Sequence, residues 1–147
     1  MSRLINLDGS GKQRTQLTKA VMMTIRELAT KKDIDDEARD MAAFLAIALH
    51  EIHNTIDVSV RAWEKRDYWV KADQFRMQWM WAQNSAAKIK TAVLLNDWGE
   101  LALLMPEVAS KLATVKLPKS NTLGHPWKGA LAELKKRVEN EKAKSAR

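Results

Sequence analysis

Residues 33–64 read DIDDEARDMAAFLAIALHEIHNTIDVSVRAWE, and the spacing of their apolar side chains decides the fold. Met41, Leu45, Ala48, Ile52, Ile56, Ser59 and Trp63 recur every three or four residues. Side chains so spaced share one face of an α-helix, whereas a half-buried strand alternates at every second residue. Phe44, Leu49 and Val60 widen the stripe, so this helix is expected to be the most buried. Asp33, Asp35, Asp36 and Glu37 mark its start: a carboxylate there accepts an unpaired backbone N–H and faces the positive end of the helix dipole.

Neither Gly nor Pro occurs from Lys12 to Asn96, and that span is rich in Ala, Leu, Met, Lys, Arg, Glu and Gln. Long helices are the physical consequence. Upstream, Asp8-Gly9-Ser10-Gly11 has turn chemistry, so an N-terminal arm over 1–14 is expected, with helix one starting around Gly11 to Thr15. Its inner face would carry Leu17, Val21, Ile25 and Leu28, and it would end near Thr30 to Lys32.

Downstream, the polar break Lys65-Arg66-Asp67 separates helix two from helix three. It contains no Gly or Pro, but a hairpin is favoured because one helix of about 60 residues is rare in so small a domain. The third stripe is Trp69, Ala72, Phe75, Trp79, Ala82, Ala86, Ile89 and Val93. Asn96, Asp97 and Glu100 resemble the start of helix four, which presents Trp98, Leu101, Met105, Val108, Leu112 and Val115. Pro106 lies inside that pattern and is expected to kink or split it, since it removes a donor and crowds the carbonyl of Ala102. After a loop over 116–125, Pro126 is expected to open helix five, lined by Trp127, Leu131, Leu134 and Val138. The expected fold is therefore all-α: an antiparallel helical bundle of four core helices with a shorter C-terminal fifth. Residues 15–142 form the bundle domain, residues 1–14 the arm and residues 143–147 a frayed tail.

Composition agrees with one globular domain: 147 residues, 46% hydrophobic and 29% charged. The absence of cysteine excludes disulfides, thiolate metal ligands and a thiol nucleophile. The start MSRLINLDGSGKQR lacks the apolar core of a secretory signal, and the most apolar run, Met41 to Leu49, is too short to span a bilayer. A cytoplasmic location without membrane contact is the expectation.

The net charge of +7 is unevenly placed: +5 over residues 1–32, −6 over 33–64, +4 over 65–95, −1 over 96–117 and +5 over 118–147. An acidic helix between basic ones is what inter-helix complementarity produces. A polyanion surface is the competing explanation. Its candidates are Arg3, Lys12, Arg14, Lys19, Arg66, Lys71, Arg76, Lys88 and Lys90, which would contact nucleic-acid phosphates. Their helix angles scatter, and no known nucleic-acid recognition motif is present.

Catalytic signals are weak. His50, His53 and Asp57 are spaced three and four apart and could meet a metal ion on one helix face. The zinc-protease helix, however, needs histidines four apart, and Asn54 occupies that position. Asp8-Gly9-Ser10-Gly11-Lys12 lacks the glycine spacing of a phosphate-binding loop. None of the seven serines sits in a Gly-x-Ser-x-Gly elbow.

The expectation is a non-catalytic interaction or scaffolding protein without a cofactor, a subunit of a larger protein or nucleoprotein assembly that binds a protein partner or itself. Five of the six tryptophans fall on apolar stripes and are expected in the core. Trp81 lies about 200° from Trp79 and is expected at an interface or on the surface; with Met77 it gives helix three a second apolar face that would bind a partner subunit or pack against helix five. Trp81 and Met77 are the expected apolar anchors, rimmed by Arg66, Lys71 and Arg76.

Overall fold

The computed structural model describes residues 7–146, with side chains from residue 9 onward. Five helices are present: α1 (Leu7–Ala29), α2 (Asp36–Lys65), α3 (Trp69–Leu94), α4 (Trp98–Lys111) and α5 (Ala130–Ser145). No strand occurs among the described residues. The molecule is a helical bundle, with α2 at its centre against α1, α3 and α5, while α4 lies on α3 and touches α1. At 16 residues α5 is shorter than the first three helices and slightly longer than the 14-residue α4.

The long stripe of α2 becomes the core. Met41, Leu45, Ala48, Leu49, Ile52, Ile56, Ser59 and Val60 are all buried, and so are Ala38, Ala42, Ala43 and Ala46. Small alanines on its flanks let three helices approach one element closely. Val21 and Leu28 of α1, Ile89 of α3, Leu101, Leu104 and Val108 of α4 and Leu134 of α5 join them in the main cluster. A satellite cluster of Ile56, Val60 and Ala72, flanked by Trp63, Phe75 and Trp79, lies under the α2–α3 turn.

Both hairpin turns are made without glycine. Asp67 (φ 63°) and Asn96 (φ 57°) take the left-handed conformation instead. After α2, Tyr68 N–H donates to Trp63 O and Asp67 N–H to Glu64 O. After α3, Asp97 N–H donates to Ala92 O and Asn96 N–H to Val93 O. This paired 6→1 and 5→2 pattern is the Schellman C-cap, with Asp and Asn in the glycine role. Helix starts use carboxylates: Asp35 accepts from Ala38 N at 2.9 Å and Asp97 from Glu100 N at 3.1 Å.

Several boundaries differ from expectation. Helix α1 begins at Leu7, so Asp8-Gly9-Ser10-Gly11 is helical rather than a turn. Tertiary contact overrides the glycine propensity there: Ser10 is buried, its hydroxyl 3.1 Å from that of Ser59 on α2. Of the predicted arm, residues 1–6 lie outside the described residues, as does Arg3. Helix α4 runs through Pro106 without a split. The carbonyl freed by the proline belongs to Ala102, an exposed residue, so it can face water. Pro126 opens a turn over 126–129, and α5 starts only at Ala130, because Gly129 takes φ 78°. At the other end α5 continues to Ser145, beyond the expected frayed boundary.

The segment between α4 and α5 returns along α1, where Arg26 Nη1 donates to Pro118 O at 2.7 Å. Helix α5 is then fastened to α2 by that helix's acids. Asp40 accepts from Leu131 N at 2.9 Å and Gly129 N at 3.3 Å, Trp127 Nε1 donates to Glu37 at 3.4 Å, and Arg137 Nη1 bonds Glu51 at 3.0 Å. One of these contacts, Arg137 with Glu51, pairs the acidic second segment with the basic fifth.

Candidate functional site

The outward face of α3 is the first candidate. Trp69, Val70, Met77 and Met80 are 58%, 73%, 65% and 50% exposed. At 100° per residue they fall within one ~100° arc, on the side away from Ala72, Phe75, Ala82, Ala86 and Ile89. Tyr68, also exposed, extends the patch onto the turn. An amphipathic helix on the outside of a bundle should be polar there. Instead α3 is apolar on both sides at this end, with Asp73 and Arg76 between the apolar groups.

The rim residues expected from sequence are in place but engaged. Lys71 Nζ stands 4.7 Å from the ring centroid of Trp63. Arg76 bridges Glu64 at 2.9 Å and Asp73 at 3.2 Å. Arg66 is exposed just before the left-handed turn residue.

The tryptophans redistribute. Trp127 is buried, and Trp63, Trp79 and Trp98 are half-buried. Trp69, expected in the core, is exposed: it is the first residue of α3, at the hairpin tip where α2 has already ended. Trp81, expected at an interface or on the surface, is half-buried, stacked on Trp79 at 5.8 Å and packed against the main core. Helix α3 meets both α2 and α4, so its buried arc is wider than one stripe. The periodicity puts Trp69 on the buried stripe and leaves Val70 and Met80 unassigned. Adjacent Trp69 and Val70 are 100° apart, so a narrow stripe cannot hold both.

A second candidate is a cleft of about 390 Å³ where α1, α3 and the end of α4 meet, lined by Arg14, Lys19, Lys111 and Lys116 with Trp79 and Gln78. Sequence reasoning found Arg14 and Lys19 but not Lys111 and Lys116, which sit in a segment of near-neutral net charge. The remaining predicted polyanion residues do not gather here. Lys90 is 3.6 Å from Glu141, Lys12 and Lys88 are exposed on other parts of α1 and α3, and Arg66, Lys71 and Arg76 surround the hairpin tip.

A third depression, about 480 Å³, lies between α2, α3 and α5 and includes His50. Arg137, at its edge, is held by Glu133 and Glu51, and the Glu133 hydrogen bond first and the Glu51 bond after it raise its pKa against burial. Of the proposed metal set, His53 Nε2 lies 3.5 Å from Asp57. His50 is exposed and lines the α5 groove. Among the described residues no group of three or more His, Asp or Glu is placed to hold a metal ion. Nor is any described helix long and apolar enough to cross a membrane.

Compared with protein-family models, curated proteins and solved structures, the chain matches none.

Proposed function

We propose that the protein is a non-catalytic helical assembly subunit that pairs with a second copy of itself through the outward face of α3. The observation that carries this is the uncovered apolar arc of Trp69, Val70, Met77 and Met80 on a helix whose inner face is already satisfied. Two-fold pairing suits its sequence. The midpoint of residues 69–80 lies between Gln74 and Phe75, so an antiparallel copy of α3 sets Trp69 against Met80 and Asp73 against Arg76. An isologous interface needs such self-complementarity, and here one apolar pair and one charged pair meet across the axis. Arg66 and Lys71 then lie at the rim.

Sedimentation equilibrium over a wide concentration range tests it. The expected result is a mass that rises from monomer towards dimer. The double variant Trp69→Glu/Met80→Glu should stay monomeric with an unchanged melting temperature, because both side chains are exposed. A wild-type protein that is monomeric at every concentration refutes the assignment.

A further inference from the structure

The basic cleft has chemistry that self-association does not use. Four cations, Arg14, Lys19, Lys111 and Lys116, line it, and no carboxylate does. Five cations elsewhere, Lys31, Arg39, Arg76, Lys90 and Arg137, form ion pairs. Among the described residues Arg14, Lys19, Lys111 and Lys116 form none.

Arg14 is the most telling of the four. Its Nη2 donates to Ser59 Oγ at 3.0 Å and its guanidinium carbon stands 4.9 Å from the ring centroid of Phe75, so two contacts from α2 and α3 fix the plane. Its Nε is buried without a hydrogen-bond partner. Burial alone pulls its pKa below the ordinary arginine value, the signature of a cation whose lost hydration no anion has replaced. The buried Nε is closed to a ligand, so what the rigidly held guanidinium offers a planar or tetrahedral oxyanion is its Nη groups.

Size and charge specify the ligand. A volume of about 390 Å³ is near the lower end of small-molecule sites, which run from about 300 to 1,000 Å³. A terminal phosphate carries about −1.5 to −2 at neutral pH and the inner phosphate of a diphosphate about −1, so the group carries about −2.5 to −3, which four cations more than balance. A nucleic-acid strand would need a continuous basic track, and Arg66, Lys71, Arg76, Lys88 and Lys90 do not line this cleft. We propose that the cleft binds the diphosphate group of a small molecule, with Arg14 as the fixed fork and Lys19, Lys111 and Lys116 as the neutralising rim. Trp79 supplies a flat apolar wall for the organic part, and Gln78 an amide that can donate or accept.

Isothermal titration with inorganic pyrophosphate, inorganic phosphate and a 12-nucleotide single-stranded DNA is the test. Pyrophosphate should bind one to one, about tenfold or more tighter than phosphate, and weaken as salt rises. Lys111→Gln/Lys116→Gln, both exposed positions, should weaken pyrophosphate about tenfold or more while leaving the melting temperature unchanged. Arg14→Lys keeps the charge but loses the fork and should weaken it as well. The proposal is overturned if pyrophosphate does not bind at millimolar concentration. It is equally overturned if the lysine double variant binds pyrophosphate as the wild type does, or if only the oligonucleotide binds.

Discussion

Asp67 and Asn96 carry the two sharpest reversals of the chain in a backbone region that suits glycine. Asp and Asn reach it at lower cost than other L-residues because their short polar side chains tolerate the left-handed conformation. The two sites nonetheless differ. Asn96 Oδ1 accepts from Trp98 Nε1 at 2.8 Å, tying the turn to the next helix, whereas no hydrogen bond or ion pair from the Asp67 carboxylate occurs among the described residues. Asp67→Gly is therefore expected to stabilise the protein by up to about 1 kcal/mol, the relieved left-handed strain less the extra chain freedom of glycine. Asn96→Gly should gain less or lose, since it breaks the indole hydrogen bond, and Asp67→Val should destabilise because a β-branched residue resists positive φ. Urea unfolding of the three variants checks the order. In the core, Ile52 is fully buried at the centre of α2, and Ile52→Ala should cost about 2–5 kcal/mol through lost transfer energy and a residual cavity.

Among the elements, α5 shows how far local pattern reaches. Its apolar face was legible: Leu134 is buried and Leu131 and Val138 half-buried, as three- and four-residue spacing implies, while buried Trp127 lies in the turn before it. Its start was not, because the group that caps it, Asp40, lies about 90 residues upstream on α2. A reader of the sequence sees Pro126 as the natural first residue and has no local sign that Gly129 will turn left-handed. Helix α1 failed in the same way, since two glycines look like a turn until Ser10 meets Ser59. Spacing likewise foretold α2, α3 and α4 and most of their buried residues. It could not foretell that Trp69, the first residue of α3, would be exposed, nor that Lys111 and Lys116 would join Arg14. Asp40→Ala should remove the only side-chain cap of α5 among the described residues and cost about 1 kcal/mol. The loss should be local. Hydrogen exchange should quicken in the first turn of α5 while α2 and α3 keep their protection, and uniform loss across the bundle would contradict the capping role.

Across the whole molecule, one end of the bundle is stitched by ionisable groups after α1 and at the head of α2, joined by an indole ahead of α5. Lys31, just beyond α1, bonds Asp35 at 2.8 Å and Glu37 at 3.0 Å at the head of α2, and Glu37 in turn receives the Trp127 indole that precedes α5. The Lys31 hydrogen bond first and the Ala38 backbone N–H second hold the Asp35 carboxyl below its ordinary pKa. For Glu37 the Lys31 hydrogen bond again leads, followed by that from Trp127. Lys31 is itself raised, first by Asp35 and then by Glu37. A carboxyl depressed on folding stabilises above its unfolded pKa, about 4, and that contribution fades as pH falls through the lower folded value. A lysine raised on folding stabilises below its unfolded pKa, about 10.4, and that contribution fades as pH rises through the higher folded value. Melting temperature should thus be flat near neutrality and decline at both extremes. Lys31→Met separates the causes. Relative to the wild type, it should remove part of the alkaline decline and most of the acid decline owed to Glu37, but leave the share of Asp35 held by the Ala38 backbone N–H. Both carboxylates are exposed and Lys31 is half-buried, so about 1 M salt, with a Debye length near 3 Å, should shrink the difference between variant and wild type. A pH profile of melting temperature for both proteins at low and high salt decides it. Superimposable profiles would mean that this end of the bundle is held by Trp127 packing and the Asp40 cap alone.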